Sequence, residues 1–175
     1  MSTAAVATTT LITPSIASAK LEGVNKPELL PTTPNVNVME VEKGFLSMQQ
    51  VKNLETVLAA LEKDTGFRVR VLTQRYPLTP GLAIRDYWKL GAEGDGDDKY
   101  IVLVVDEFGG KGNPLNFSVG EGVKFALPNI YWTRLQGKYG NTFFVKENGL
   151  DVSILSAIDS ITKCLRSEDG FCTSP

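Results

Sequence analysis

Six consecutive apolar residues, Tyr100 to Val105, constrain this chain more than any other feature. A strand with one face in water alternates apolar and polar side chains, and this run does not alternate. It is also too short for a buried helix, and acidic, glycine-containing segments bound it on both sides. It therefore reads as a strand covered on both faces, which needs a layer of structure above it and another below. The expectation is an α/β chain, a single-domain three-layer α/β/α sandwich around a mixed sheet.

The flanking segments supply those layers. Ser47 followed by Gln50 forms a capping box, with Leu46 and Val51 as its apolar staple. Val51, Leu54, Leu58 and Leu61 recur at helical spacing, and Gly66 stands where a left-handed cap is needed, so a helix is expected over 47–65. Phe67, Val69 and Val71 alternate with Arg68 and Arg70, predicting a strand with one covered and one wetter face. Pro77 and Pro80 end it before a short helix near 82–89, where Leu82, Tyr87 and Trp88 pack inward. Beyond a turn rich in Gly109, Gly110, Gly112 and Pro114, residues 115–119 resume as a strand, and so short a connection favours an antiparallel hairpin. Pro128 suits the first turn of a helix through about Gln136. A last helix over 151–166 presents Val152, Leu155, Ile158, Ile161 and Leu165 to the sheet.

The 175 residues, 42% hydrophobic, fit one domain with a core of its own. Residues 1–19 carry no charge and end in Ala17-Ser18-Ala19, which reads as a targeting segment cut before Lys20; a disordered Ser/Thr/Ala tail is the alternative. Pro27, Pro31 and Pro34 make residues 20–43 an extended leader, followed by the domain over 44–166 and a C-terminal tail over 167–175. No stretch of about 20 apolar residues offers a transmembrane span.

Histidine is absent, which removes Ser-His-Asp and Cys-His nucleophile systems and the common zinc sites. Eighteen basic against 20 acidic residues give no positive field for nucleic acid. Any catalysis then falls to carboxylates, Lys, Tyr, Ser or a hard cation, and the carboxylates cluster most plainly. The loop Glu93-Gly94-Asp95-Gly96-Asp97-Asp98 precedes the buried strand and Asp106-Glu107 follow it. Acids on a glycine-rich loop suit calcium, but the EF-hand pattern fails, with Lys99 at its fifth position and Tyr100 at its sixth. A solvated turn is the plainer reading. Asp95-x-Asp97 has the form of an aspartyl-phosphatase pair yet comes before a strand, whereas α/β ligands gather where strands end. Asp106 occupies such an end; its other reading is a turn residue. No glycine cluster has nucleotide-loop spacing. Cys164 and Cys172 are either a bridge tying the tail to the last helix or two thiols, and a Cys-x₅-Arg phosphatase loop is missing.

Several strings taken together resemble the TPM domain family, and in particular its small plant thylakoid lumenal members. Phe45-Leu46-Ser47 with Gln50, Leu61-Glu62 and Asp64-Thr65-Gly66 open the likeness. Val24-Asn25-Lys26-Pro27-Glu28-Leu29-Leu30-Pro31, Thr79-Pro80-Gly81-Leu82-Ala83-Ile84 and Gly137-Lys138-Tyr139-Gly140-Asn141 extend it over about residues 23–165. The resemblance implies an α/β/α sandwich addressed to the chloroplast thylakoid lumen. Larger relatives are associated with photosystem II repair, and some are described as calcium-binding acid phosphatases. Where the family commonly has Asp-Asp-Gly, Asp-Arg and Gly-Tyr-Gly-Leu-Glu, this chain has Asp97-Asp98-Lys99, Asp106-Glu107 and Gly120-Glu121-Gly122-Val123-Lys124. A cation in place of a carboxylate lowers calcium affinity, so only Asp98 and Asp106 carry over as metal candidates. The resemblance implies no other cofactor. The resulting expectation is a lumenal binding or accessory factor for a photosynthetic complex, photosystem II foremost, with protein partners in the thylakoid and scope for peripheral membrane association. A weak calcium-dependent acid phosphatase is the alternative. Tyr131, Trp132, Phe143 and Phe144 are candidate contact aromatics, with the core as their other destination.

Overall fold

The computed structural model describes residues 25–91, 98–107 and 112–175. The expected targeting segment and most of the acidic loop, Glu93 to Asp97, lie outside the described residues. In chain order the elements are β1 (Val38–Glu40), α1 (Met48–Thr65), β2 (Arg68–Gln74), α2 (Ala83–Trp88), β3 (Tyr100–Asp106), β4 (Leu115–Val119), α3 (Asn129–Tyr139), α4 (Thr142–Asn148) and α5 (Leu150–Leu165). The sheet runs β1-β2-β3-β4. The first three strands are parallel, with Val38 opposite Val71 and Gln74 opposite Asp106, and β4 returns antiparallel with Leu103 opposite Phe117. The mixed sheet and the hairpin are as expected.

β3 is the covered centre. Ile101, Leu103 and Val105 point into the main core with Leu54, Leu58, Leu61, Leu135, Ile154 and Ile161, all buried. Val102 points the other way, into a smaller cluster with Met39, Leu72, Trp88 and Leu90. The two layers are unequal: α1, α3 and α5 pack on the first face, while α2 and the leader cover the second. The Trp88 Nε1–H donates to the Val36 carbonyl at 2.7 Å and fixes the leader there.

The helix ends follow the sequence closely. Ser47 and Gln50 form the reciprocal capping box, and Gly66 takes the left-handed cap at φ 77°. Several elements differ from expectation, and Leu82, expected to pack inward, is exposed. The leader contributes β1, because Glu55 on α1 accepts hydrogen bonds from the Asn37 and Val38 amides at 2.9 and 2.8 Å and aligns the segment against β2. β2 is covered on both faces: Arg70 is buried, and its guanidinium turns back to Glu62 at 2.9 Å rather than into water. Pro128 caps α3 from outside, and a further helix, α4, is capped by Asn141.

The last helix is rotated relative to its expected stripe. Ile154, Ala157, Ile158, Ile161 and Leu165 are buried, while Val152 is exposed. Buried serines explain the rotation. Ser160 Oγ lies 3.0 Å from the Tyr131 hydroxyl, and Ser153 Oγ donates to the Tyr139 carbonyl, so α5 turns its small polar residues toward α3. Burial pushes the Tyr131 hydroxyl pKa up to about 12, with the Ser160 contact pulling it partway back.

At the β4 border, the Asn113 side chain accepts from the Leu115 amide at 3.0 Å. The Gln136 side chain donates to the Leu115 carbonyl at 2.8 Å.

Candidate functional site

Three parallel strands end together at Glu40, Gln74 and Asp106, the edge where open α/β sheets hold ligands. Asp106 is only 3% exposed. Its Oδ2 accepts from Gln74 Nε2 at 3.1 Å, and the Tyr76 amide lies 3.5 Å from Oδ1. Arg75 Nη2 stands 3.1 Å from Glu107 and 3.5 Å from Glu42, a cation between two carboxylates, with its guanidinium over the Phe45 ring. Beside it, Gln50 Nε2 donates to Asp151 at 2.9 Å, tying α1 to α5. Gly44, Phe45, Ser47, Glu107 and Asp151 border a shallow recess of about 550 Å³ there. Burial holds the Glu40 carboxyl above its usual range, against the opposing pull of Lys43.

Asp98 stands at the opposite end of β3. The eight steps between Asp98 and Asp106 span roughly 26 Å at about 3.3 Å per residue, so the strand separates them as its length requires. Asp98 is exposed, and its carbonyl accepts from the Gly122 amide at 3.1 Å. The structure thus joins Asp98 to the Gly120–Lys124 segment, where Lys124 is paired with Glu121. Gly120 passes so close that a Cβ there would meet the Asp98 carbonyl, and it would come within 2.9 Å of the Tyr100 ring. Gly120→Ala is therefore expected to destabilise by about 1–2 kcal/mol, as overpacking against backbone does. Urea unfolding measures it, and an unchanged midpoint would show that the Asp98 segment yields freely.

Among the described residues, no three or more Asp, Glu or Cys gather closely enough to hold a metal ion. Of the four aromatics singled out, Tyr131 and Trp132 are core, and Phe144 is half-buried against Tyr139, with ring centroids 5.3 Å apart. Phe143 is 80% exposed, and Phe125, which no periodicity marks, is 88% exposed. Gln74, Arg75 and Glu42 also escaped the sequence reading; their signal was position, at strand ends beside Asp106. The tail is bridged by Cys164–Cys172, with a Cα–Cα distance of 5.8 Å. The Cys172 amide donates to the Ala126 carbonyl at 2.9 Å.

Comparison with known proteins matches residues 39–164 to the TPM domain. The chain is 50% identical over 154 residues to "Thylakoid lumenal 15.0 kDa protein 2, chloroplastic" of Arabidopsis thaliana, a match covering 88% of this chain and 64% of that protein. The chain thus spans somewhat less than two thirds of that relative's length. Its fold is also similar to the solution NMR structure of the N-terminal domain of a protein from P. gingivalis, at TM-score 0.62 and 21% identity, over 81% of this chain and 92% of that one.

Proposed function

We propose a binding role for this protein from one premise: the chain belongs to the TPM domain family. Its address is that of its Arabidopsis relative, the chloroplast thylakoid lumen. No helix among the described residues is long and apolar enough to cross a membrane. In that compartment the protein acts as an accessory factor in the assembly, repair or maintenance of a photosynthetic complex, photosystem II foremost. The observation that carries this reading is the exposure of Phe125 and Phe143, large apolar side chains held in water at 88% and 80%. Aromatics of this kind anchor protein interfaces when a partner covers them. Retention of photosystem II subunits from detergent-solubilised thylakoids tests it. The wild-type protein is expected to retain them, and the Phe125→Ser/Phe143→Ser variant to retain at least about thirtyfold less, the loss of one hot spot of about 2 kcal/mol. Equal retention by both proteins would overturn the reading.

A calcium-assisted phosphatase is the second reading, and the buried Asp106 at the carboxyl edge is what favours it. The carboxylate would help hold a cation that polarises a phosphoryl oxygen. Against it stands Arg75, which already places a positive charge between Glu42 and Glu107. Calcium calorimetry and phosphate-ester turnover decide: heat and turnover that vanish together in Asp106→Asn would replace the binding role with this one.

A further inference from the structure

The C-terminal tail crosses the segment that presents Phe125. Val123 and Leu127 are fully buried, and the Ala126 and Leu127 amides both donate to the Val123 carbonyl, so this turn is anchored from within. Phe125 therefore stands in water on a fixed base. The Cys172 amide reaches across to the Ala126 carbonyl at 2.9 Å. Phe171 and Phe125 are the residues just before the two partners of that bond. Backbone dimensions then keep their Cα atoms within about 12 Å of each other, close enough for both rings to meet one partner surface. Phe171 is itself 54% exposed.

Phe171 has no buried base of its own. Its place depends on the tail, and the tail is joined covalently to α5 through Cys172 and Cys164. Beyond Cys172 it is tied by the exposed Arg134, which donates to the Thr173 carbonyl and Ser174 Oγ, and by the exposed Lys138, which donates to the Pro175 carbonyl. Bonds made by long, solvated side chains hold weakly. Both cysteines are only half-buried, within reach of a dithiol in solution.

We propose that the Cys164–Cys172 bridge is a redox latch that seats Phe171 beside Phe125 and makes the two rings one anchor for the protein partner. This rests on the reading of Phe125 as a partner contact. Reduction by a protein dithiol opens the latch. One thiolate attacks a bridge sulfur, the S–S bond breaks to leave a mixed disulfide, and the second thiol of the reductant displaces the remaining protein sulfur. The reductant departs as a disulfide, and Cys164 and Cys172 gain two electrons and two protons between them. Phe171 then moves with a freed tail while Phe125 keeps its buried base. The anchor loses one ring and the core stays closed.

Hydrogen exchange on the full chain reads the latch without a partner. In Cys164→Ala/Cys172→Ala, and in wild type treated with dithiothreitol, the tail amides of residues 171–174 are expected to lose their protection while Leu127 stays protected. A tail equally protected with and without the bridge would overturn the proposal. Retention of photosystem II subunits then reads the consequence. Phe171→Ser, which keeps the bridge, is expected to retain about tenfold less than wild type, the loss of one anchoring side chain. The cysteine variant should lose as much, and adding Phe171→Ser to it should cost nothing more, because the ring is already unseated. If Phe125→Ser/Phe143→Ser lowers retention and either Phe171→Ser or the cysteine variant does not, the latch falls and the partner reading stands. If the Phe125→Ser/Phe143→Ser pair leaves retention unchanged, the partner reading falls and the latch falls with it. A further loss on adding Phe171→Ser to the cysteine variant would also overturn the latch. Thermal unfolding confirms that each variant is folded at the assay temperature. Phe171 is exposed, so its variant keeps the test decisive if the cysteine pair is not tolerated.

Discussion

Truncating Leu103 to alanine is expected to cost about 3–4 kcal/mol of stability, the range for a leucine removed from a packed core. Leu103 is fully buried at the centre of β3, among side chains of α1, α3 and α5 that cannot all close around the void. For a chain of this size that corresponds to a fall in Tm of roughly 6–16 °C. The neighbouring Val104→Ala change should cost less than about 1 kcal/mol, because its side chain is half-buried on the thinly covered face, where little packing is lost. Urea denaturation of the two variants measures the asymmetry of the two layers directly. Equal costs would mean that the second layer packs as tightly as the first.

The second large effect concerns the tail. Removing the bridge with Cys164→Ala/Cys172→Ala should lower stability by about 2.5 kcal/mol, the chain-entropy value for so short a loop. The two cysteines are separated by eight positions. The same loss should appear when a strong reductant is added to the wild-type protein, and the reductant should leave the double variant unmoved. A wild-type midpoint that ignores the reductant would show that the bridge contributes nothing. Arg134 Nη1 also holds the tail, donating to the Thr173 carbonyl at 2.9 Å.

Much of the framework was legible because local signals and the global fold agreed. The apolar run at β3, the capping box of α1 and the hairpin between β3 and β4 each have a local cause. What was not legible came from contacts between distant segments. β1 is three residues long and has no periodicity of its own; it exists because Glu55, seventeen positions from Val38, offers it an acceptor. Arg70 looked like a solvent-facing residue until Glu62 folded over it. The stripe on α5 differs from its apolar pattern by part of a turn because two serines, polar by composition, are buried against tyrosines. The candidate site shows the same division. Asp106 was marked by its place at the end of a buried run, whereas Gln74 gains its role only from register with it and Arg75 from Glu42 and Glu107, which lie far from it in the chain.

The pair of side-chain amides at Leu115 reaches beyond the sheet itself. An unpaired strand border is a template on which neighbouring molecules can lay further strands, and crowding makes that more dangerous. Asn113 and Gln136 already occupy both hydrogen-bonding groups of Leu115, so an intruding strand would find no purchase there. Stripping these amides by mutation would leave the monomer's core intact and yet invite fibrous self-association, a hazard visible only when the protein is concentrated.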